Sequence, residues 1–163
     1  MRRGSRTWSR RWPATTTEPI LAQDLFVYGT LQPHAGTRMG EWIAARMAHA
    51  EPAWAPGRIF AVKGGNGWFP ALLPARSGAG VRGTLCRLDL RPGDLARLDR
   101  YEGREYRRIC LPVRLASGRR APAQIYVWRA PQPKAAPVIR DGDYLGWLAR
   151  TGRRPFTTLR NGT

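Results

Sequence analysis

The stretch LARLDRYEG, residues 95–103, places a carboxylate on the same helical stripe as two leucines. In a helix, Leu95, Leu98 and Glu102 occupy positions i, i+3 and i+7, which lie on one face. The same geometry turns Asp99 outward to water. The glycine that closes the stretch lies just beyond the last helical residue, where glycine commonly ends a helix. The spacing therefore predicts a helix that buries the two leucines and directs Glu102 toward the interior.

Glu102 is the first candidate for catalysis because of this inward direction. A carboxylate that loses hydration has a raised pKa, and a raised pKa suits a glutamate for proton transfer near neutral pH. The alternative is a surface glutamate that pairs with one of the arginines that follow it, namely Arg104, Arg107 and Arg108. Such a pair would lower the pKa of the carboxyl, which is the opposite of what a general base needs.

The composition fits one domain of ordinary size with a strongly basic surface. The chain has 163 residues, with 28 Lys+Arg against 11 Asp+Glu and a formal net charge of +17. A chain of this length buries a core without disulfides or metal ions. Its arginines are scattered singly, without the clustered stripe or repeated aromatic platform of a nucleic-acid-binding protein. A solvated basic surface is therefore favoured, and nucleic-acid binding remains the alternative.

The sequence contains no pattern for a metal ion, a disulfide framework or a nucleotide cofactor. Cys86 and Cys110 fall in separate strand-like runs, and His34 and His49 are isolated. Metal-ligand spacing and a catalytic triad are therefore both missing. The GxGxxG match at residues 78–83 leads into a strand-like run, whereas dinucleotide binding requires a helix there. We expect no metal and no cofactor.

The chain is predicted to have three regions. Residues 1–23 are rich in Arg, Ser, Thr and Pro and are predicted to form a disordered basic arm. Residues 24–152 form the folded domain, and residues 153–163 form a C-terminal tail. No apolar run is long enough to span a membrane, and polar residues stand where the apolar part of a signal peptide should be. We expect a cytoplasmic protein without a membrane partner, of unknown oligomeric state.

The order of the predicted elements is typical of a small mixed α+β fold. A strand at residues 25–28 ends at a glycine, and an amphipathic helix is predicted near residues 37–48. Glycine and proline break residues 52–80 into hairpins, loops and short strands. Later elements are strands at 81–88, 109–115 and 124–128 and a short helix before residue 152. This order lacks the regular alternation of a doubly wound sheet and favours a curved or barrel-like sheet.

A second candidate site is the loop that begins Tyr28-Gly29-Thr30-Leu31. A strand that ends in glycine allows the next backbone amides to turn into a cavity, where they can bind an anionic or carbonyl group. The alternative for these four residues alone is an ordinary turn between a strand and a loop.

Five short segments follow one another in a fixed order along the chain. They are FVYGTL at 26–31, GWFPAL at 67–72, VRGTL at 81–85, LDRYEGREYRR at 98–108 and QIYVW at 124–128. Together they resemble the gamma-glutamylcyclotransferase-like (AIG2-like) superfamily, in particular its bacterial and gamma-glutamylamine cyclotransferase branches. The chain departs from the pattern at Gln32, where the amine-specific branch often has lysine. It also lacks the YGSNL form of the glutathione-breakdown branch.

The resemblance implies a small mixed six-stranded β-barrel with flanking helices and a cavity at one end. It implies that Glu102 is the catalytic glutamate and that the Tyr28 to Leu31 loop cradles the substrate. The further substrate-site positions that it implies are Tyr106, Arg108 and Tyr126. The first two are assigned to support of the turn after Glu102, and the third to the cavity wall.

The activity that the resemblance implies is cyclisation of a small gamma-glutamyl amine or peptide to 5-oxoproline, with release of the amine. The α-amine of the gamma-glutamyl unit attacks its own γ-carbonyl, and Glu102 moves the protons, so no cofactor is required. One alternative is a non-catalytic protein that retains the fold and binds a metabolite or nucleic acid. Another is a related acyl-group trimming step in a biosynthetic pathway.

Overall fold

The computed structural model describes residues 18–78 and 80–157. Its elements, in chain order, are β1 Leu21–Val27, α1 Arg38–Ala44, β2 Met47–Ala55, β3 Arg58–Lys63, β4 Trp68–Leu73, β5 Val81–Leu90, α2 Asp94–Glu102, β6 Tyr106–Leu115, β7 Arg120–Trp128, β8 Val138–Ile139 and α3 Tyr144–Thr151. Within these residues, none of the helices is long and apolar enough to cross a membrane.

Five of the strands close into a barrel in the order β1-β5-β2-β6-β7. Antiparallel pairs make up most of the barrel, and β1 closes it in parallel against β7, with Leu25 opposite Gln124. The strands β4, β3 and β8 form a second, antiparallel sheet. The predicted mixed α+β fold with a barrel is confirmed, with five barrel strands in place of six. β3 cannot join the barrel because β4 and β8 occupy both of its hydrogen-bonding edges.

The segment between α1 and β3 differs from the sequence-based expectation. The helix predicted near residues 37–48 ends at Ala44, and the chain then forms β2, which pairs with β5 over nearly its whole length. Arg46, which falls within the predicted helix, lies past the observed helix end. Its guanidinium stacks 3.7 Å from the ring centre of Trp42 and donates a hydrogen bond to Asp94. Strand pairing with β5 therefore overrides the weak helical periodicity at residues 46–48.

Two apolar clusters lie on opposite faces of the barrel wall. Because side chains alternate along a strand, Phe26 joins a cluster drawn from all five barrel strands, which forms the barrel core. Leu25 and Val27 join a second cluster that packs against α1 and α2. Leu98 of α2 is fully buried in this second cluster, and Leu95 packs against it. The predicted leucine stripe of α2 is confirmed.

The described strands and strand contacts extend beyond the predicted domain, residues 24–152, at both ends. β1 begins at Leu21, so residues 21–23 of the predicted arm pair with β5 as part of the barrel. Residues 1–17 of that arm lie outside the described residues. At the other end, residues 153–157 of the predicted tail pack on β4, where Pro155 forms a parallel bridge with Trp68. In both places, pairing with a strand distant in sequence orders a segment that has no periodicity of its own.

Candidate active site

A cavity of about 390 Å³ opens where β1, β4, β6 and β7 meet the end of α2. Its lining within the described part of the chain consists of residues 26–31, 69–70, 101–103, 105–106, 126, 128 and 156. Seven of the eight site residues predicted from the sequence line it, namely Tyr28, Gly29, Thr30, Leu31, Glu102, Tyr106 and Tyr126. Arg108 is the exception.

Glu102 is the last residue of α2 and lies at the wall of the cavity. The helix ends there because Gly103 adopts φ 78°, a left-handed value that favours glycine, and donates its N–H to the backbone carbonyl of Asp99. Burial raises the pKa of the Glu102 carboxyl from 4.5 to about 8. Among the described residues, no lysine or arginine nitrogen lies within 4.0 Å of this carboxyl. Glu102 is therefore an unpaired carboxyl that can hold or release a proton near neutral pH.

Arg108 is held outside the cavity by the preceding turn of α2. Its guanidinium donates two hydrogen bonds to Asp99, at 2.9 and 3.1 Å, and a third to the side chain of Gln124 at 3.2 Å. The hydroxyl of Tyr126 donates to the same carboxylate at 2.7 Å. The Arg108 hydrogen bonds are the main cause of a lowered Asp99 pKa. The Arg108 guanidinium is thus bound to Asp99. It supports the position of α2 and does not line the cavity.

The loop after β1 presents three consecutive backbone amides beside the cavity. The amides of Gly29, Thr30 and Leu31 have no hydrogen-bond acceptor among the described residues. The loop conformation is fixed from the other side: Thr37 donates its hydroxyl hydrogen to the Thr30 carbonyl and accepts from the N–H of Gly40 at 3.0 Å. This hydroxyl also caps α1. The loop therefore offers a preformed set of N–H donors for an anionic oxygen.

Gly29 is required by the close approach of β4 to this loop. A Cβ atom at this position would lie 2.5 Å from Cγ of Pro70. That separation is far below a normal van der Waals contact, so a side chain here would push the loop away from β4. The glycine thus sets the width of the cavity at this point.

The hydroxyl groups of three tyrosines hold the cavity walls together. Tyr28 donates to the carbonyl of Tyr126 at 2.6 Å, and Tyr106 donates to the carbonyl of Pro70 at 2.5 Å. Burial is the largest cause of a raised pKa for each of Tyr28, Tyr106 and Tyr126. These hydroxyls therefore remain protonated at neutral pH and act as fixed donors.

The wall formed by β4, β6 and β7 is aromatic and was largely missed by the sequence analysis. Phe69 packs 6.0 Å from the ring centre of Trp128 and 5.6 Å from that of Phe156. Trp128 in turn lies 5.2 Å from Tyr106 in an edge-to-face arrangement. The GWFPAL and QIYVW segments contain two of these rings and could have indicated them. Phe156 carries no signal, because it lies in the predicted tail.

The titratable side chains of the cavity wall are carboxyls and tyrosines, although the chain as a whole is basic. Glu102 and Glu105 line it, whereas no arginine or lysine does so within the described residues. Nor do the residues of known placement include a group of three or more His, Cys, Asp or Glu side chains able to hold a metal ion. The groups available for chemistry are therefore carboxyls, backbone amides and tyrosine hydroxyls.

Comparisons with known proteins agree with this architecture. Residues 25–146 match the family model described as gamma-glutamyl cyclotransferase, AIG2-like. A sequence comparison with curated proteins gives no match. Among solved structures, an AIG2-like protein from Mus musculus is 23% identical with a TM-score of 0.62, and the alignment covers 87% of this chain and 99% of that one.

Two further solved structures have the same fold. YkqA from Bacillus subtilis is 22% identical with a TM-score of 0.61, covering 81% of this chain and 43% of that one. A protein of Arabidopsis thaliana is 21% identical with a TM-score of 0.56, covering 80% and 83%. These identities establish the fold, and the family model covers most of the chain. The chain therefore belongs to the gamma-glutamyl cyclotransferase, AIG2-like family.

Proposed function

We propose that this protein cyclises a small gamma-glutamyl amine or peptide to 5-oxoproline and releases the amine. The observation that carries the proposal is the meeting of an unpaired carboxyl, Glu102, with the three free amides of Gly29, Thr30 and Leu31 in one cavity. A carboxyl that titrates near neutral pH can move protons, and fixed N–H donors can stabilise an oxyanion. Membership of the gamma-glutamyl cyclotransferase, AIG2-like family supports the same class of reaction.

The reaction needs only the folding of one substrate and the movement of protons. The α-nitrogen of the gamma-glutamyl unit forms a bond to its own γ-carbonyl carbon, and the bond from that carbon to the leaving nitrogen breaks. The α-ammonium loses two protons in all, and the leaving nitrogen gains two and departs as an ammonium ion. Nucleophile and electrophile belong to one molecule, so binding in a near-attack conformation supplies much of the acceleration.

In this proposal Glu102 is the group that carries the protons. With a pKa of about 8, it is mostly protonated in the free protein at pH 7. An α-ammonium bound beside it favours the carboxylate, because an opposite charge stabilises the ionised form. The carboxylate then takes a proton from the ammonium and returns one to the leaving nitrogen.

The loop amides and the tyrosines have binding roles in this proposal. The amides of Gly29, Thr30 and Leu31 hold the substrate α-carboxylate or the oxyanion that develops on the γ-carbonyl. The hydroxyls of Tyr28 and Tyr106 fix the walls between which the substrate bends. Tyr126 and Arg108 position the end of α2 through Asp99.

The decisive experiment is the release of 5-oxoproline from a panel of gamma-glutamyl amines and dipeptides. Glu102→Gln removes the titrating group and keeps nearly the same shape, so we expect kcat/KM to fall at least about a hundredfold. Glu41→Gln is the matched control, because Glu41 is an exposed residue of α1 outside the cavity lining, and we expect it to leave the rate unchanged. Equal rates for the wild type and Glu102→Gln would exclude the proposed proton carrier.

The alternative function is ligand binding without turnover, and the basic surface is what favours it. Arg100, Arg104, Arg107, Arg108 and Arg129 line a shallow depression next to the cavity. If this surface binds nucleic acid through phosphates, affinity for a DNA duplex must fall steeply as salt is raised. Steep salt dependence together with no 5-oxoproline release would favour the alternative. Absent or salt-insensitive binding would dismiss it.

A further inference from the structure

Residues 153–157 are fastened to the start of β4 by backbone hydrogen bonds. The N–H of Trp68 donates to the carbonyl of Arg154 at 2.9 Å, and the N–H of Phe156 donates to the carbonyl of Trp68 at 2.7 Å. Asn66 and Thr157 form a further reciprocal pair, in which the Asn66 amide donates to the Thr157 carbonyl and its oxygen accepts from the Thr157 N–H. We call residues 153–157 the C-terminal strap.

The hairpin between β3 and β4 is shaped to receive this strap. A Cβ atom at Gly67 would collide with the Pro155 carbonyl, and a Cβ atom at Gly64 would collide with the ring of Phe156. The Arg153 guanidinium lies 4.9 Å from the ring centres of Trp68 and Trp147. Because the two glycines leave space for the strap, its docking on the hairpin is a specific part of the fold.

The strap brings Phe156 into the wall of the cavity that contains Glu102. Phe156 packs edge to face on Phe69 and, with Trp128 and Tyr106, completes an aromatic wall. The loop amides, at residues 29–31, line another part of the same cavity. The glutamyl half of a substrate carries the carboxylate and ammonium that need the amides and Glu102. The leaving half of the substrate would then pack against the aromatic wall.

The leaving half faces no counter-ion for an anionic group. No lysine or arginine lines the cavity among the described residues, and Glu105 adds a second carboxyl to the wall. A leaving group with its own carboxylate would lose hydration there without gaining a partner, which is costly. A hydrocarbon or aromatic body would gain burial against the rings.

We infer that Phe156 determines specificity for the leaving amine, selecting an apolar or aromatic body without a carboxylate. The inference rests on the proposed function for the identity of the glutamyl half. It makes the C-terminal strap part of the substrate site, so that a segment outside the family-matched residues 25–146 sets the choice of substrate.

The test uses γ-glutamyl-phenethylamide and γ-glutamyl-phenylalanine, which differ only by a carboxylate on the leaving half. Binding is measured by calorimetry on the full chain carrying Glu102→Gln, so that turnover does not consume the ligand. We expect the amide to bind at least about tenfold more tightly than the dipeptide. Adding Phe156→Ala should weaken binding of the amide about tenfold, as expected for the loss of one well-packed ring. Arg154→Ala, which removes an exposed side chain of the same strap that lies outside the cavity lining, should change it less than about twofold.

The outcomes separate this inference from the proposed function. Equal affinity for the amide with and without Phe156→Ala would overturn the role of Phe156. So would the absence of amide binding by both variants, and neither result depends on whether the wild type turns the substrate over. Tighter binding of the dipeptide would overturn the preference against a carboxylate. Phe156→Leu keeps an apolar side chain in the strap and should bind with intermediate affinity, which guards against a folding defect in the alanine variant. Release of 5-oxoproline by the wild type separately decides the proposed function.

Discussion

Asp99 and Glu102 lie about one turn apart on α2, and their surroundings shift the pKa values of the two carboxyls in opposite directions. Asp99 accepts hydrogen bonds from Arg108 and Tyr126, and its pKa is lowered mainly by the Arg108 hydrogen bonds. Glu102 has no cation beside it among the described residues, and burial raises its pKa to about 8. Under the proposed function, divergent environments of this kind give Asp99 a structural role and leave Glu102 for proton transfer. Arg108, which would lower the pKa of Glu102 if it paired with that carboxyl, is hydrogen-bonded to Asp99 instead.

The raised pKa of Glu102 predicts a pH-dependent cost in stability. Because its folded-state pKa of about 8 exceeds the ordinary 4.5, the folded state holds the proton more tightly than the unfolded state. The contribution to stability is full below the unfolded pKa and is lost as pH rises through the folded pKa. Glutamine does not titrate, so Glu102→Gln should gain stability relative to wild type by at most about 1.4 kcal/mol per pH unit across this window.

Urea unfolding of both proteins at several pH values between the two pKa values measures this difference. Glu41→Gln again serves as the control and should track the wild type at every pH. A difference between wild type and Glu102→Gln that stays constant across the window would show that the Glu102 carboxyl is not held in a dehydrated place.

At the scale of elements, the end of α2 is positioned by β6 and β7. Arg108 and Tyr126 are opposite each other in the two strands, and both hold Asp99. The short link from Glu102 to β6 passes through Gly103, so a shift of α2 would move the carboxyl relative to the loop after β1. Positioning of this kind acts on the rate through geometry rather than through contact with the substrate.

Arg108→Gln tests this positioning role. Loss of the paired hydrogen bonds loosens the end of α2, so we expect kcat/KM to fall about tenfold. We also expect the apparent pKa of activity to drop from about 8 toward the ordinary glutamate value, because Glu102 gains water. Arg107→Gln is the control, since Arg107 is an exposed neighbour on β6 that does not line the cavity. A lower rate with an unchanged pKa would contradict the coupling to Glu102.

At the scale of the whole molecule, local periodicity predicted some elements and long-range pairing decided the rest. The leucine stripe of α2 and the inward direction of Glu102 follow from residues only a few positions apart. β2 carries Pro52 and little alternation, and it exists because β5 offers a long partner. The split into a five-stranded barrel and a second sheet likewise depends on which strand edges meet.

In the candidate site, too, some features follow from local sequence and others from long-range contacts. The loop at residues 28–31 and Glu102 could be predicted, because glycine after a strand and a carboxyl on an apolar stripe are local signals. The Asp99 to Arg108 pairing and the docking of Phe156 could not. Asn66 and Thr157 are 91 positions apart, and nothing in either segment specifies the other. Contacts of that separation require the folded barrel between them.

The pH dependence of kcat/KM for 5-oxoproline release tests the account most directly, because it reads the function and the Glu102 carboxyl together. The carboxylate is the active form, so the wild-type value should rise about tenfold per pH unit and level off near pH 8. Glu102→Gln should show a residual rate without this rise. A wild-type profile whose rise has its midpoint near the ordinary glutamate pKa of 4.5, or the same profile in both proteins, would contradict it.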